Sequence, residues 1–117
     1  MNNLGKLAEI KAAQYLRKKK YTLIDVNYSC RFGEIDLIVS NKKYIVFVEV
    51  KMRNENSIAK PMEFVDEHKQ NKMIATAKMY LSQYKKDLQP RFDVVEVFCD
   101  DNRIKSVKHL ENAFTLL

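Results

Sequence analysis

Glycine and proline are almost missing from this 117-residue chain, at two each. There is no low-complexity tract, no internal repeat and no breaker-rich stretch that would read as a linker, so residues 1–117 are expected to form one domain. Cysteine is just as sparse. Cys30 and Cys99 lack CxxC spacing and neighbouring histidines, which argues against a zinc site; both are expected as reduced core residues, without a disulfide. No apolar run approaches a membrane-spanning length and no signal peptide is visible, so the expected location is the cytoplasm. Helix-turn-helix and zinc-finger signatures are absent too. Any partner would be recognised by shape and charge and not by base readout.

What is present is positive charge. Lys and Arg number 21 against 15 acidic residues, a formal net charge of +6. That balance favours an anionic partner, and nucleic acid over membrane, because no basic amphipathic helix with bulky apolar anchors appears. Hydrophobic residues at 46% and charged residues at 31% are ordinary for a globular protein.

The informative stretch is Gly33 to Arg53. Ile35–Val39 and Tyr44–Val50 are rich in β-branched and aromatic residues, and the polar turn Ser40–Lys43 separates them, so the spacing predicts a hairpin. The second run is apolar at nearly every position until Glu49, which predicts a strand buried on both faces in mid-sheet. If Lys42 and Lys43 form a two-residue turn, Asp36 lies opposite Glu49, with Cβ atoms roughly 5 Å apart. Two carboxylates at that spacing suit one hard cation that takes oxygen ligands and keeps several waters. Lys51 falls on the same face two residues later, where it could stabilise a phosphoryl oxygen. The bland reading of the same residues is a pair of cross-strand ion pairs, Asp36–Lys51 and Glu49–Lys51. Glu34 shares the face of Asp36 but lies further from the turn, where pairing with Arg31 or Arg53 would explain it.

The flanks complete the layout. Leu4, Leu7, Ala8, Ala12, Tyr15 and Leu16 predict a helix over roughly Asn3 to Lys19, closed by the cations Arg17 to Lys20. Glu9 lies on its small-residue flank; read from the residues alone, it is a solvent-facing acid paired with Lys6 or Lys11. A first strand is expected over Tyr21–Tyr28, and a loop over Arg53–Lys60. A second helix should run from an Asp66 cap to about Tyr84, with Lys69 and Gln70 in its first turns. Arg91–Cys99 is a fourth strand, Ile104–Leu110 a weaker edge strand, and Glu111–Leu117 a short terminal segment. The expected fold is α/β: a mixed sheet, with a three-strand antiparallel meander plus one or two further strands, flanked by two helices.

This sequence resembles the YraN-like family of small bacterial predicted endonucleases. That family lies within the restriction-endonuclease-like PD-(D/E)XK superfamily and is similar to archaeal Holliday-junction resolvases. The resemblance spans almost the whole chain. Its segments are Leu4-Gly5, Ala8-Glu9, Gly33-Glu-Ile-Asp-Leu-Ile38, Phe47-Val-Glu-Val-Lys51 with Arg53, Lys69-Gln70, Arg91-Phe-Asp-Val-Val95 and Asn112-Ala-Phe114. One departure is Lys20, which stands where a glycine usually precedes the first strand's tyrosine. The resemblance implies a restriction-endonuclease-like core, with Asp36 as the motif aspartate and Glu49-x-Lys51 as the acidic-x-Lys element. It makes Glu9 a helix-borne third acid and puts Lys69 or Gln70 beside the site, with Glu34 and Arg53 as further flanking candidates. The implied activity is Mg²⁺- or Mn²⁺-dependent hydrolysis of DNA phosphodiesters, with Asp36, Glu49 and Glu9 on the metal and Lys51 as the charge stabiliser. Branched DNA is an expected substrate, and a homodimer would suit it. The alternative is a nucleic-acid-binding or protein-docking module that keeps the fold without catalysis.

Overall fold

The computed structural model describes residues 3–54 and 65–115. Helix α1 spans Asn3–Lys18 and is followed by strands β1 (Thr22–Cys30), β2 (Gly33–Ser40) and β3 (Tyr44–Asn54). Helix α2 (Glu67–Leu81) then leads to β4 (Gln89–Asp100) and β5 (Arg103–Phe114). The five strands form one mixed sheet in the order β1-β2-β3-β4-β5. All neighbours are antiparallel except β3 and β4, which pair in parallel from Tyr44↔Gln89 to Asn54↔Cys99. This is the expected mixed sheet with two helices, consistent with a restriction-endonuclease-like core. Among the described residues, no helix is long and apolar enough to cross a membrane.

The two helices cover opposite faces. α1 lays Ala8, Ala12 and Leu16 onto Leu37, Val39, Val46, Val48, Val95 and Val97. Small residues at the i, i+4 positions let the helix backbone approach the sheet closely. α2 lays Met73 and Ala77 onto Ile35, Ile38, Ile45, Phe47 and Phe92. β3 therefore contributes to both layers, and Ile45–Glu49 is buried throughout, as its unbroken apolar run requires.

Several boundaries differ from expectation. β3 continues through Arg53 and Asn54, because parallel pairing with β4 holds that segment as strand; positions 55–64 of the expected loop lie outside the described residues. β5 runs on past Leu110 to Phe114 by means of a register shift near Asn112, whose φ is 53°. Leu7 is 50% exposed, since it faces away from the Ala8–Ala12–Leu16 line. Cys99 is buried and free, but Cys30 is only half-buried, near the β1–β2 turn, where its Sγ accepts from the Phe32 N–H.

Two turns and one cap set the chain's path. Asn41 Oδ1 accepts from the N–H groups of Lys43 and Tyr44 at 2.9 and 2.7 Å, and Asn41 N donates to Tyr44 O, so Lys42-Lys43 is the two-residue turn. Asp101 and Asn102 both adopt positive φ and join β4 to β5, as a tight hairpin requires. α1 ends with Tyr21 N donating to Leu16 O and Lys20 N to Arg17 O, which makes Lys20 a left-handed cap at φ 75°. A lysine there carries the steric cost of its Cβ. Lys20→Gly should therefore raise stability by roughly 0.5–1 kcal/mol, read as a higher urea midpoint at unchanged slope; a lower midpoint would refute this account of the cap.

Candidate functional site

The site begins where the hairpin ladder ends. β2 and β3 pair from Ser40↔Ile45 to Leu37↔Val48. Beyond that point the next donor on β3, the N–H of Val50, is taken at 2.8 Å by Asp36 Oδ2 instead of by a β2 carbonyl. The strands part, and a carboxylate fills the gap. β1 turns at the same level: Asn27, between the register pairs Val26↔Leu37 and Tyr28↔Ile35, has φ 51°. Ile35 thereby joins the α2 layer while Leu37 stays in the α1 layer. Strict alternation would have put both on one face.

This parting brings Asp36 against Glu49, which is 7% exposed. Burial is the largest influence on Asp36. The Val50 N–H opposes it, the charge and hydrogen bond of Glu49 reinforce it, and the ammonium of Lys69 offsets a little; the result is a pKa pushed up to about 6. Glu49 in turn receives Lys69 Nζ at 3.5 Å from the first turn of α2. That turn is fixed by Asp66, whose Oδ1 accepts from Lys69 N at 2.8 Å.

The remaining candidates are placed unequally. Among the described residues Lys51 makes no ion pair, so neither Asp36–Lys51 nor Glu49–Lys51 forms. Gln70 Nε2 donates to Val65 O at 2.6 Å, pinning the approach to α2. Arg53 Nε is held at 2.9 Å by Glu96, a 3% exposed acid that the sequence reading passed over inside the apolar β4 run. A lone Glu between Val95 and Val97, and level with Lys51 in the β3–β4 register, was the available signal. Glu34 is exposed at the start of β2 and makes no ion pair among the described residues. Glu9 is not brought to the pair. Asn27 Nδ2 donates to its two oxygens at 3.2 and 3.4 Å, holding it over β1. Among the described residues, no three His, Cys, Asp or Glu side chains gather as a metal-holding group.

Two carboxylates still fit a cation that keeps several waters and takes its remaining oxygens from a substrate phosphate. Burial and the neighbouring Glu49 both oppose the charge on Asp36, an opposition that a divalent cation would relieve.

The sequence profile described as Uncharacterised protein family UPF0102 matches residues 8–97. The chain belongs to the UPF0102 family. A UPF0102 protein of Caldanaerobacter subterraneus subsp. tengcongensis is 44% identical over 114 residues, covering 95% of this chain and 93% of the relative. One from Nitrosomonas europaea is 40% identical over 112 residues, covering 96% and 93%. One from Clostridium botulinum is 37% identical over 119 residues, covering 97% and 95%. These names carry no activity. For this UPF0102 chain the resemblance to YraN-like proteins thus holds at the level of family, and any chemistry has to be argued from the site.

The same UPF0102 chain holds a second charge cluster, which the sequence reading quoted as motif segments without assigning it a role. Asp93 is fully buried and accepts from Arg91 Nε and Nη2 at 2.9 and 2.8 Å, and from Asn112 N at 2.9 Å. His109 Nε2 lies 2.7 Å from its Oδ2. Lys19 Nζ stands 3.1 Å from His109 Nδ1. An ammonium can only donate, so Nδ1 accepts and Nε2 carries the proton given to Asp93. Burial alone would raise the Asp93 carboxyl, but the hydrogen bonds from His109, Arg91 and Asn112 outweigh it and hold it low. Burial likewise works against the Arg91 charge, yet Asp93 and Tyr21 more than restore it.

The two aspartates should give opposite pH responses. Between about pH 4, the unfolded value, and pH 6, folded Asp36 binds more protons than the unfolded chain. Its contribution to stability is therefore lost as pH rises through that window. Asn keeps an acceptor for Val50 N–H and cannot ionise. Asp36→Asn in EDTA should gain on the order of 1–2 kcal/mol at pH 7.5, after allowance for solvent screening, and nothing at pH 4; a mutant less stable at pH 7.5 would overturn the strained-pair account. Asp93 is the reverse case, stabilising above the unfolded value near 4 and losing that contribution as pH falls. Asp93→Asn leaves Arg91 without its buried counter-charge and should cost roughly 3–5 kcal/mol at pH 7, checked by the same urea titration.

Proposed function

We propose that this protein is a metal-dependent endonuclease that hydrolyses nucleic-acid phosphodiesters, with DNA favoured over RNA. The observation that carries the reading is the pair of half-buried Asp36 and buried Glu49 at the parting of β2 and β3, with Lys51, which makes no ion pair among the described residues, two residues further along β3. Mg²⁺ or Mn²⁺ held by Asp36 and Glu49 would supply Lewis-acid polarisation of the phosphate and a water of lowered pKa.

The chain's own residues do the rest. Lys51 has no carboxylate to neutralise among the described residues, so its charge is available for the phosphoryl oxygens as negative charge grows on them. Lys69 offsets Glu49 in the resting protein and steadies the acid pair until a phosphate takes over that ammonium. Val50 N–H fixes the orientation of Asp36. Arg53, tied to Glu96, stiffens the end of β3. In this reading Glu9 contributes through water, because Asn27 already holds its carboxylate. The net charge of +6 draws in the polyanion, and shape recognition of branched DNA would favour a homodimer working in the cytoplasm. One observation favours the alternative, a binding module without turnover: the third acid stands apart from the other two.

Cleavage of labelled duplex, flapped, single-stranded and four-way-junction DNA in Mg²⁺, Mn²⁺ and EDTA tests the proposal. Wild type should cut at least one substrate in metal and none in EDTA, and Lys51→Ala should lose roughly 100-fold or more. No cleavage of any substrate, alongside salt-sensitive binding, would sink the enzyme and leave the binding module.

A further inference from the structure

A cleft opens at the opposite end of the parallel strands from the acid pair. It has a volume of about 820 Å³, and its lining includes Lys43, Tyr44, Gln89, Arg91, Glu111 and Asn112. Tyr44 and Gln89 are the register pair that begins β3 and β4. Glu49 lies five residues along β3, about 16 Å away at the usual rise per residue, so this cleft is separate from the acid pair.

Its wall is an arginine with a donor to spare. The Arg91 side chain is 9% exposed. Its Nε and Nη2 are spent on Asp93, and Nη2 also reaches the Tyr21 hydroxyl at 2.5 Å. Nη1 makes no hydrogen bond among the described residues. Yet no buried side-chain nitrogen or oxygen among those residues lacks a partner, so Nη1 is open to solvent, and Arg91 lines the cleft. The guanidinium cannot turn away from it, being clamped by Asp93 from below and stacked on the Tyr44 ring at 4.6 Å. Lys43 Nζ lies 5.3 Å from the centre of the same ring.

One anion already rests there. The Glu111 carboxylate is 3.3 Å from Arg91 Nη2, yet its side chain is 54% exposed. It sits beside Asn112, where β5 shifts register. A loosely held carboxylate on a rigid, buried guanidinium marks the position an external anion would take. Charge bookkeeping agrees. Arg91 and Lys43 bring two positive charges and Asp93 and Glu111 two negative ones, so moving Glu111 aside leaves the cleft with one net positive charge.

We propose that this cleft binds a phosphate group, with Arg91 and Lys43 as its cations and Glu111 as a displaceable occupant of the same position. Phosphate suits the cleft better than a carboxylate. Its several oxygens can take the spare Arg91 Nη1 donor and the Lys43 ammonium together with the amide side chains of Gln89 and Asn112. The phosphate could belong to a free nucleotide or to a nucleic-acid backbone. The site stands whether or not Asp36 and Glu49 support hydrolysis.

The test is an NMR titration of backbone amides in EDTA, which keeps the acid pair free of metal and leaves cleavage out of the readout. Inorganic phosphate, a deoxynucleoside 5′-monophosphate and a short oligodeoxynucleotide are titrated into wild type, Glu111→Gln and Lys43→Ala. Both substituted side chains are exposed, so the fold is not at risk, whereas Arg91 variants would disturb the core. Phosphate should shift the amides of Gln89 and Asn112. Glu111→Gln should tighten binding roughly fivefold, the worth of one competing surface charge, and Lys43→Ala should weaken it. A stronger response to the mononucleotide or to the oligonucleotide identifies the source of the phosphate. Equal affinity in wild type and Glu111→Gln, or shifts confined to the Arg17–Lys20 run, would overturn the proposal.

Discussion

A buried carboxylate holds this protein's layers in register. Asp93 has no exposed surface, and its donors come from β4 itself, through Arg91, and from β5, through His109 and the backbone of Asn112. Arg91 passes the connection to Tyr21, just before β1, and His109 passes it to Lys19 beyond the end of α1. The first twenty-one residues and the last sheet strand thus meet around a single charge. Inside a low-dielectric core, such a network is stabilising only because it is complete; any one member removed leaves another buried without its partner.

β3 divides the molecule chemically. Its first half, Ile45–Val48, is apolar and buried between two helices, and anchors the sheet by packing alone. Its second half carries Glu49, which meets Asp36 and Lys69, and Arg53, which meets Glu96; Lys51, between them, makes no ion pair among the described residues. The changeover falls where the β2 ladder stops. A side-chain carboxylate there takes the Val50 N–H in place of a backbone carbonyl, toward the carboxyl end of the parallel pair.

Much of this was legible in the sequence because local patterns and tertiary demands agree. The two-residue turn at Lys42-Lys43, the meander and the both-faces burial of β3 follow from composition and period. The juxtaposition of Asp36 and Glu49 follows from counting across that turn. What was not legible depends on breaks in periodicity. Asn27 in a left-handed conformation and the parting of strands at Asp36 change the face of Ile35, and no alternation rule contains them. The Asp93 cluster escaped for another reason: its members are separated by up to 90 positions, as Lys19 and His109 are, and single charges in apolar strands give no hint of one another. Read from the residues alone, Glu9 is a solvent-facing acid paired with Lys6 or Lys11; its partner is instead Asn27, on a strand whose twist no local pattern contains.

The distribution of these contacts along the chain bears on how the fold assembles. Asp36 and Glu49 lie on adjacent strands of a hairpin, where closing the loop costs little entropy. Their counter-charge Lys69 arrives from beyond positions 55–64, and the Asp93 hub needs both ends of the chain. Short-range pairing therefore brings like charges together early, and the neutralising and locking groups come later, after long loops have closed. The helix that seals the α2 layer of the core is thus also the one that delivers the Lys69 counter-charge to the pair.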